Sequence, residues 1–468
     1  MSAKSLGTTS TETPFRVIVI GGGVAGLTAS HCLQKAGIDH VVLERRAEVA
    51  PREGVSIGIW PQGNRLLHQI GCLETVQRAC GPSKTWCMNG PDGKTFGELH
   101  GYYDVLQKNH AADLLTLERR QFLDILHNGL PDKSYVRTNS AVKSIVQDAG
   151  GVRVQLQDGT FETGDIVLGV DGISSLTRRI MWEHADDTAP GAIPSSDKTC
   201  MKTSWKALVG LGPRPPKLAV DAIMSVSNDR FSFLLLSQPH FVFWFVFFKL
   251  PKTLVWPERG RYTAEDAADV AASIYDHPLS EQVKFSELWE TRDRADLIPI
   301  EEGVLDVWHH GRIVLAGDAA HKVTPNIALG GNSAMESVAM LCNQLHAMLE
   351  QQQGAKPSRA TVSQVFSKYQ AERHARMKKI TSFSGLVTRM QAWDGWLMKF
   401  VYRWIMPLLP GSFLINSMAP LIKAAPKLDY VSLKDFPVGE VPWTHDDDSK
   451  GEKVVGRSPI TALLDTNY

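Results

Sequence analysis

The hydrophobic and polar residues at the start of the chain follow a strand-like pattern and then a helix-like pattern, and together these two patterns predict an α/β fold. The β-branched run Arg16–Ile20 is typical of a buried strand. A helix is predicted from Val24 to Ala36, with Gly37 as its stop, and Asp39–Leu43 is predicted as a second strand. The chain therefore opens on a β–α–β unit.

The strand-like and helix-like patterns recur in later segments. Alternation over Val152–Gln157, the turn Asp158-Gly159 and the run Phe161–Val170 predict a hairpin. Gly311–Leu315 is predicted as a buried strand, and the spacing of apolar residues over Asn332–Leu349 predicts a helix. Between them, residues 203–250 are aromatic, rich in β-formers and poor in helix signals, which predicts a separate sheet that walls an apolar cavity.

The C-terminal part is also apolar and aromatic, over residues 396–422. Basic residues near its start and three prolines interrupt it, whereas a membrane-spanning helix needs about 20 uninterrupted apolar residues. Two interpretations remain: helices that pack over the body of the protein, which we favour, or a peripheral membrane contact.

Composition excludes several functions. The 468 residues carry 50 Lys+Arg and 50 Asp+Glu, so no excess of positive charge suggests nucleic-acid binding. The six cysteines form no C-x-x-C pair and are expected to be reduced and buried, and no His/Cys/Asp/Glu cluster has metal-binding spacing. The polar N-terminus lacks the apolar core of a signal peptide, so we expect a cytoplasmic protein, with membrane association only through the C-terminal segment.

A glycine motif lies between the first strand and the first helix. In Gly21-x-Gly23-x-x-Gly26 the glycines permit a tight turn, close approach of a pyrophosphate, and close packing of helix and strand. Glu44 ends the second strand, where its carboxylate is placed to accept hydrogen bonds from ribose hydroxyls and to disfavour a 2′-phosphate. The motif alone does not distinguish NAD from FAD.

Two further motifs indicate a flavin. Asp171-Gly172 follows a buried strand in "GDIVLGVDGISSLTRR", and Gly317-Asp318 follows another in "GRIVLAGDAAHKVTPNIALGGNSAMES". In this order the three motifs resemble the single-component FAD-dependent aromatic hydroxylases, which are built like p-hydroxybenzoate hydroxylase.

This resemblance implies specific contacts to FAD. Asp318 bonds a ribityl or ribose hydroxyl, the loop Gly330–Asn332 faces the isoalloxazine, and the next helix points its N-terminus at the ring. In "LTLERRQFLDIL", Arg119 is the arginine that reaches FAD, with Arg120 the less favoured alternative. The full set of implied cofactor-binding residues is Gly21, Gly23, Gly26, Glu44, Arg45, Gly58, Arg119, Asp171, Asp318, Pro325, Gly330, Gly331 and Asn332.

The resemblance also implies how the reductant binds. No second G-x-G-x-x-G opens another dinucleotide domain, so NADPH or NADH is expected in a surface groove without its own fold. Enzymes with two dinucleotide domains and disulfide reductases are disfavoured.

A narrower resemblance rests on "APREGVSIGIWPQGNRLLHQIG" and "GDAAHKVTPNIALGGN". These segments are similar to fungal FAD-dependent monooxygenases of indole-diterpene, meroterpenoid and prenylated indole-alkaloid pathways. The catalytic arginine and tyrosine associated with that group stand here as Lys206 and Phe243. Lysine lacks the planar fork and phenylalanine lacks the hydroxyl, so a catalytic role for this pair and an inert one remain open.

The resulting expectation is a Rossmann-like FAD-binding domain with an inserted β-sheet substrate domain and a C-terminal helical segment. With NAD(P)H and O2 it epoxidises or hydroxylates an electron-rich C=C bond, in a prenyl chain or at an indole 2,3-position, of a large apolar natural product. Indole epoxidation would open a route to a spiro-oxindole. The alternatives are a phenol-ring hydroxylase of the same fold and a flavin oxidase.

The predicted boundaries are a disordered lead at 1–14, the FAD-binding domain at 15–195 and 296–350, the substrate domain at 196–295, the helical segment at 351–444 and a loose tail at 445–468.

Overall fold

The computed structural model describes residues 14–52, 54–81, 83–352 and 355–444. The predicted loose tail, and the predicted disordered lead apart from Pro14, lie outside these ranges. The described part contains both strands and helices, as predicted for an α/β fold.

One sheet carries the predicted β–α–β unit. In spatial order its six strands are β17 (His309–His310), β18 (Ile313–Leu315), β11 (Ile166–Gly169), β1 (Arg16–Ile20), β2 (Asp39–Leu43) and β7 (Val136–Arg137). All neighbours pair in parallel except β17 with β18. The predictions for β1, β2 and helix α1 (Val24–Lys35) are confirmed. The carboxyl ends of β1, β2 and β11 therefore meet at one edge, where parallel sheets of this kind bind ligands.

The predicted single strand over Phe161–Val170 is wrong. It divides into β10 (Phe161–Gly164), which forms a three-stranded antiparallel sheet with β9 (Val152–Leu156) and β8 (Val142–Gln147), and β11, which joins the parallel sheet. The division falls at Asp165, whose N–H donates to the Arg16 carbonyl while its carboxylate accepts from the Arg16 N–H at 2.8 Å. The hairpin hydrogen bonds are exchanged there for bonds to β1.

A second large sheet contains the aromatic region. In spatial order its eight strands are β19 (His321–Lys322), β16 (Arg294–Val304), β12 (Lys202–Pro213), β15 (Phe241–Val255), β14 (Phe231–Ser237), β13 (Ala222–Asn228), β4 (Thr85–Asn89) and β5 (Thr95–Glu98). It thus draws strands from well before residue 196 and after residue 295, although the domain boundaries themselves stay a prediction. A small two-stranded sheet pairs β3 (Ser56–Ile59) with β6 (Leu115–Glu118).

The eight-stranded sheet is buried on both faces. One face carries Ala207, Val209 and Phe247 into the main core of the protein. The other carries Leu208 and Val246 into a smaller core, under the helices α7 (Ala264–Ser273) and α8 (Phe285–Glu290). Because successive residues of a strand point to opposite faces, each position of β12 and β15 belongs to one core or the other.

Helices cover the remaining surfaces. Those of the first half are α2 (Pro61–Gln69), α3 (Leu73–Ala79), α4 (Tyr102–His110), α5 (Arg119–Asn128) and α6 (Leu176–Thr188). Two long helices, α9 (Leu329–Gln352) and α10 (Arg359–Gln391), follow the last strand. The predicted helix at Asn332–Leu349 is confirmed and is longer at both ends.

The predicted C-terminal helical segment is present. It ends with α11 (Trp396–Phe400), a π-helical turn (Val401–Ile405), a 3-10 turn (Met406–Leu408) and α12 (Gly411–Lys423). Ile415, Met418 and Ile422 of α12 are buried. Among the described residues no single helix has the length and hydropathy of a membrane span. The pair Trp396–Leu408 and Gly411–Lys423, bent by 107°, passes that test only when taken together.

Candidate active site

A cavity of about 690 Å³ lies at the carboxyl ends of β1, β2 and β11 and reaches across to the eight-stranded sheet. Eleven of the thirteen predicted cofactor-binding residues line it. They are Gly21, Gly23, Glu44, Arg45, Gly58, Arg119, Asp171, Asp318, Pro325, Gly330 and Gly331. Residues scattered over more than 300 positions of the chain are thus brought to one cavity, which we call the flavin cavity.

The glycine motif forms the end of the cavity beside helix α1. Gly21 has a φ of +111°, and its N–H donates to the Leu43 carbonyl at 2.9 Å. A Cβ on Gly26 would lie 1.8 Å from the Gly21 carbonyl oxygen, so Gly26 allows the close packing of α1 and does not line the cavity. A Cβ on Gly23 would meet only Arg119, at 4.0 Å, and would otherwise project into the cavity. The tight turn at Gly21 and the close packing at Gly26 are thus present, and the space at Gly23 is open to the pyrophosphate predicted there.

Glu44 closes the same end of the cavity and is buried. One carboxylate oxygen accepts a hydrogen bond from the Gly22 N–H at 2.7 Å, and the other accepts from the Arg46 N–H at 2.9 Å. Each oxygen has a further lone pair, which leaves the carboxylate able to accept from hydroxyl groups of a ligand.

A buried arginine, Arg178, connects the segments that follow Asp171 and Asp318. The Asp171 carboxylate accepts from Ser175 Oγ at 2.5 Å and from the Thr177 N–H at 3.0 Å, so it also caps the start of α6. Arg178 in that helix donates to the Ile173 carbonyl at 2.7 Å and to the Ala319 carbonyl at 2.9 Å. The guanidinium therefore connects the segment after Asp171 to the segment after Asp318.

The cavity is completed by the N-terminus of helix α9. The predicted loop Gly330–Asn332 is wrong in conformation, because the helix already begins at Leu329 and these residues form its first turn. Ala328, just before the helix, has a φ of +53°, a conformation that is uncommon outside glycine. Gly330 and Gly331 line the cavity, where the free N–H groups and the dipole of a helix N-terminus favour negative charge.

Asn332 is buried below this turn and does not line the cavity. Its side-chain amide donates to the carbonyls of Gly58, at 2.9 Å, and Ala328, at 2.7 Å, and its oxygen accepts from the Trp60 N–H at 3.1 Å. Asn332 therefore holds β3 against the start of α9, and its predicted contact with the cofactor is replaced by a supporting position.

The opposite wall of the cavity belongs to the eight-stranded sheet. Strands β4, β13, β14 and β15 contribute five residues, all of them apolar. They are Trp86, Ile223, Leu234, Leu236 and Phe245. The cavity thus has a charged end, near the glycine motif, and an apolar end.

The matched family decides the cofactor. The family described as FAD binding domain matches residues 14–189 and 226–384. The chain belongs to this FAD-binding family. The residues matched by the family include the glycine motif, Asp171, Asp318 and most of the lining of the flavin cavity.

Curated relatives of this flavoprotein are fungal enzymes. It is 42% identical over 424 residues to the FAD-dependent monooxygenase DEP2 of Alternaria brassicicola, covering 90% of this chain and 80% of that one. It is 35% identical to the FAD-dependent monooxygenase atmM of Aspergillus flavus, over 86% and 85% of the two chains. It is 34% identical to andE of Emericella variicolor, another FAD-dependent monooxygenase, over 93% and 92%. The protein is accordingly an FAD-dependent monooxygenase of the fungal secondary-metabolite group.

Solved structures confirm the fold. HpxO of Klebsiella pneumoniae, complexed with FAD and uric acid, superposes with a TM-score of 0.71 at 20% identity, over 88% of this chain and 97% of that one. The tetrameric form of 2-methyl-3-hydroxypyridine-5-carboxylic acid oxygenase gives 0.64 at 19% identity, over 90% and 100%. The Rossmann-like FAD-binding fold is therefore confirmed.

The residues present fit FAD. The open space at Gly23 and the basic side chains of Arg45 and Arg119 suit a pyrophosphate, and the carboxylates of Glu44 and Asp318 suit sugar or ribityl hydroxyls. When bound, FAD supplies the redox chemistry that activates O2, with NAD(P)H as the reductant typical of the family. The contacts of individual residues with FAD stay a prediction.

The two predicted catalytic residues do not reach the flavin cavity. Lys206 pairs with Phe248, on the face of the sheet that carries Leu208, and its Nζ lies 5.6 Å from the centre of the Tyr262 ring. Phe243 pairs with Leu211, five positions along β12 and therefore on the opposite face, where it lines a second cavity. The geometry gives no support to a catalytic pair, and no described bond connects the two side chains.

The sequence motifs missed a polar network behind the apolar end. Asn326 lines the flavin cavity, accepts from Thr388 Oγ1 at 2.7 Å and donates to Gln391 Oε1 at 2.7 Å. Thr388 Oγ1 also lies 2.9 Å from Thr324 Oγ1. Polar residues at positions 384, 388 and 391 of α10, spaced as one helix face, were the signal for this contact.

His321, next to the Gly317-Asp318 motif, is also outside the cavity. Its Nε2 lies 2.9 Å from Ser337 Oγ, and its ring packs against Trp308 at 5.2 Å between centres. Burial, and then the nearby Arg373, lower the pKa of His321 to about 3. The ring is neutral at ordinary pH and has a structural position.

Proposed function

We propose that this monooxygenase epoxidises or hydroxylates an electron-rich C=C bond of a large apolar natural product. The observation that carries this proposal is the wall formed by Trp86, Ile223, Leu234, Leu236 and Phe245, which offers apolar contacts and no charge. Such a wall suits a hydrocarbon skeleton, whereas a phenolate substrate calls for a base or a cation at that position.

The chain's contribution to the reaction is then orientation and exclusion of water. Phe245 is paired with Val209 and Leu234 on the neighbouring strands, so its ring is held in a sheet that is buried on both faces. A fixed apolar wall keeps the alkene in one orientation and keeps bulk water out of the reaction. No side chain of this wall is suited to transfer a proton, which agrees with chemistry supplied by the cofactor.

The experiment is a product analysis with ¹⁸O2. The holoenzyme is incubated with NADPH and either prenylated indoles or simple phenols, and mass spectrometry follows the label. One ¹⁸O atom in an alkene- or indole-derived product is expected. A label found only in phenols supports the ring hydroxylase instead, and H2O2 that accounts for all the NADPH consumed supports a flavin oxidase.

Matched variants test the site. Phe245→Ala enlarges the apolar end and is expected to uncouple NADPH oxidation from product formation. Lys206→Ala, on the other face of the sheet, is expected to leave coupling unchanged. The reverse result would restore Lys206 as a catalytic residue and contradict the assignment of the wall.

We also propose that residues 396–408 make a peripheral contact with a lipid surface. Six of the thirteen large hydrophobic side chains exposed in the described residues lie in this short stretch. They are Trp396, Leu397, Phe400, Trp404, Ile405 and Leu408. Four of these follow each other at intervals of four residues, so they form one stripe along the helical axis.

The rest of that segment is fixed to the body of the protein. Tyr402 is buried and its hydroxyl lies 2.9 Å from Ser225 Oγ of β13, while Lys399 pairs with Asp229 at 2.8 Å. Tryptophan beside basic residues is typical of helices that lie in the membrane interface. A contact of this kind would place the enzyme where a large apolar substrate partitions.

A further inference from the structure

A second cavity, of about 570 Å³, borders the flavin cavity. Thr116 of β6 lines both cavities and is paired with Gly58 of β3, which lines the flavin cavity. The small β3–β6 sheet is therefore the boundary between the two spaces. A molecule in the second cavity would lie across this small sheet from the flavin cavity.

Four arginines line this second cavity: Arg52, Arg78, Arg120 and Arg294. Two of them are already compensated, because Arg294 pairs with Glu118 at 2.7 Å and Arg78 pairs with Glu74 at 3.6 Å. For Arg52 and Arg120 there is no ion pair within the part of the chain that the structure describes. Asp293 is the other carboxylate of the lining, so the cavity keeps an excess of positive charge.

Arg120 shows in addition an unsatisfied donor. Its Nε is buried and has no hydrogen-bond partner among the described residues, and the same holds for Arg294 Nε. A buried donor without a partner costs stability, so a site that retains two of them is suited to a ligand that accepts their hydrogen bonds. The planar guanidinium fork matches phosphate oxygens better than any other side chain does.

The remaining lining suits the other parts of a nucleotide. Phe241 is 49% exposed and Phe243 lies beside it on the same strand face, so aromatic surface is available to a heterocyclic base. Aromatic faces bind bases of any identity through stacking. Gln238 and His240, also in the lining, add polar groups.

We propose that this cavity binds the pyridine dinucleotide reductant, with Arg52 and Arg120 on its phosphates. NADPH and NADH share the pyrophosphate and the nicotinamide, and both are candidates. The proposal rests on the monooxygenase activity and adds the binding site of its reductant, for which the chain has no second dinucleotide fold. It also explains why two adjacent arginines, Arg119 and Arg120, line different cavities.

The test is direct binding to the FAD-loaded enzyme. NADP⁺ and NAD⁺, which do not react with the oxidised enzyme, are titrated by calorimetry into wild type, Arg52→Gln and Arg120→Gln. Each substitution is expected to weaken the preferred nucleotide by about tenfold, the effect of losing one charge-assisted hydrogen bond. Arg120→Lys, which keeps the charge but not the fork, is expected to lie between wild type and Arg120→Gln. Arg261→Gln, an exposed arginine outside both cavities, is the control and is expected to bind as wild type does.

Flavin absorbance per protein verifies that each variant is folded and loaded before titration. Unchanged nucleotide affinity in both folded variants would overturn the proposal. So would weaker binding of an apolar substrate at unchanged nucleotide affinity, which would make this space a substrate site. Should Arg120→Gln fail to fold, Arg52→Gln, on a separate segment, decides the question.

A second arm separates this proposal from the proposed function. The flavin is reduced photochemically without nucleotide, and the enzyme is then mixed with ¹⁸O2 and a prenylated indole. An absence of labelled product here, with tight and arginine-dependent NADP⁺ binding, would contradict the alkene substrate and leave the reductant site standing. Labelled product together with nucleotide affinity that is insensitive to Arg52 and Arg120 would do the opposite.

Discussion

Arg119 and Arg120 are neighbours in the chain, yet they line two different cavities on either side of the β3–β6 sheet. Arg119 extends to within 4.0 Å of the Cβ position of Gly23, where the pyrophosphate of FAD is expected. Successive residues of a helix point about 100° apart, so one turn of α5 can serve both spaces.

The two positions predict that substitution of Arg119, but not of Arg120, changes the affinity for FAD. Arg119→Ala is expected to weaken FAD binding by at least tenfold, because a charge-assisted contact is removed. Arg120→Ala is expected to retain the wild-type amount of FAD. The ratio of flavin absorbance to protein absorbance after gel filtration measures both. If Arg120→Ala is purified colourless and Arg119→Ala is yellow, the assignment of the two arginines is reversed.

Alanine substitutions at Gly26 and Gly23 are expected to affect different properties of the protein. A Cβ at position 26 meets the Gly21 carbonyl oxygen at 1.8 Å, so Gly26→Ala must displace α1 and is expected to cost about 1–3 kcal/mol of unfolding free energy. Gly23→Ala meets no protein atom closer than 4.0 Å but projects into the cavity. It is expected to keep the stability of the cofactor-free protein and to lose affinity for FAD.

Urea unfolding of the cofactor-free proteins, together with titration by FAD, separates the two effects. A Gly23→Ala protein that binds FAD as tightly as wild type would show that the pyrophosphate does not lie against this turn. That outcome would leave the structural role of Gly26 untouched.

Arg178 is expected to connect stability and cofactor binding. Arg178→Lys keeps a positive charge but loses the fork that reaches the carbonyls of Ile173 and Ala319. A loss of about 1.5–3 kcal/mol is expected from hydrogen bonds to a charged group. Because the guanidinium connects the segments that carry Asp171 and Asp318, FAD should also stabilise the variant less than it stabilises wild type. Thermal unfolding with and without added FAD measures this difference, and an equal shift in both proteins would contradict it.

The local part of this fold could be predicted from the sequence, and the long-range part could not. Strand β1, helix α1 and strand β2 follow from periodicity and three glycines within one short segment. The division at Asp165 depends on hydrogen bonds to Arg16, far away in the chain, and no local signal marks it. Alternation likewise failed to assign Lys206 to a face, because β12 has apolar neighbours on both faces and its pattern fits either orientation.

The site shows the same limit. The glycines and Glu44 were predicted from the requirements of backbone geometry and charge at those positions, whereas Asp171 and Asp318 were implied by the resemblance to the FAD-dependent aromatic hydroxylases. Asn332 was placed on the cofactor, although it holds β3 against α9. A buried amide and a ligand-binding amide have the same sequence signal, and only the partners of its three hydrogen bonds distinguish them.

The exposed stripe at residues 396–408 is expected to bind vesicles. Trp404→Ser and Leu408→Ser remove two of its most exposed side chains, at 60% and 77% exposure, without touching the buried Tyr402. The double variant should float with phosphatidylcholine/phosphatidylserine vesicles at least tenfold less than wild type, since each large apolar side chain contributes about 1.5–3 kcal/mol when buried. Phe161→Ser, which removes an exposed ring elsewhere, is the control. Wild type that stays with the soluble fraction, or that forms a dimer which the double variant abolishes, would show that another copy of the chain covers the stripe.

The buried His321 is expected to make stability depend on pH. Its pKa is lowered to about 3, against 6.5 for the unfolded chain, because burial disfavours the imidazolium. Below pH 6.5 the imidazole of His321 is protonated in the unfolded state but stays neutral in the folded state. The neutral ring therefore makes its full contribution to the unfolding free energy above pH 6.5. This contribution is lost as the pH falls towards 3, by about 1.4 kcal/mol per pH unit. His110 and His309, whose pKa values burial lowers to about 4, act in the same direction.

His321→Gln removes one titrating group, and any loss of packing or of the bond to Ser337 is the same at every pH. The stability gap between wild type and variant should therefore narrow by about 1.2 kcal/mol between pH 6 and pH 5 in urea unfolding. A gap that stays constant over that interval would mean that His321 is protonated in the folded protein, which its contacts with Ser337 and Trp308 do not provide for.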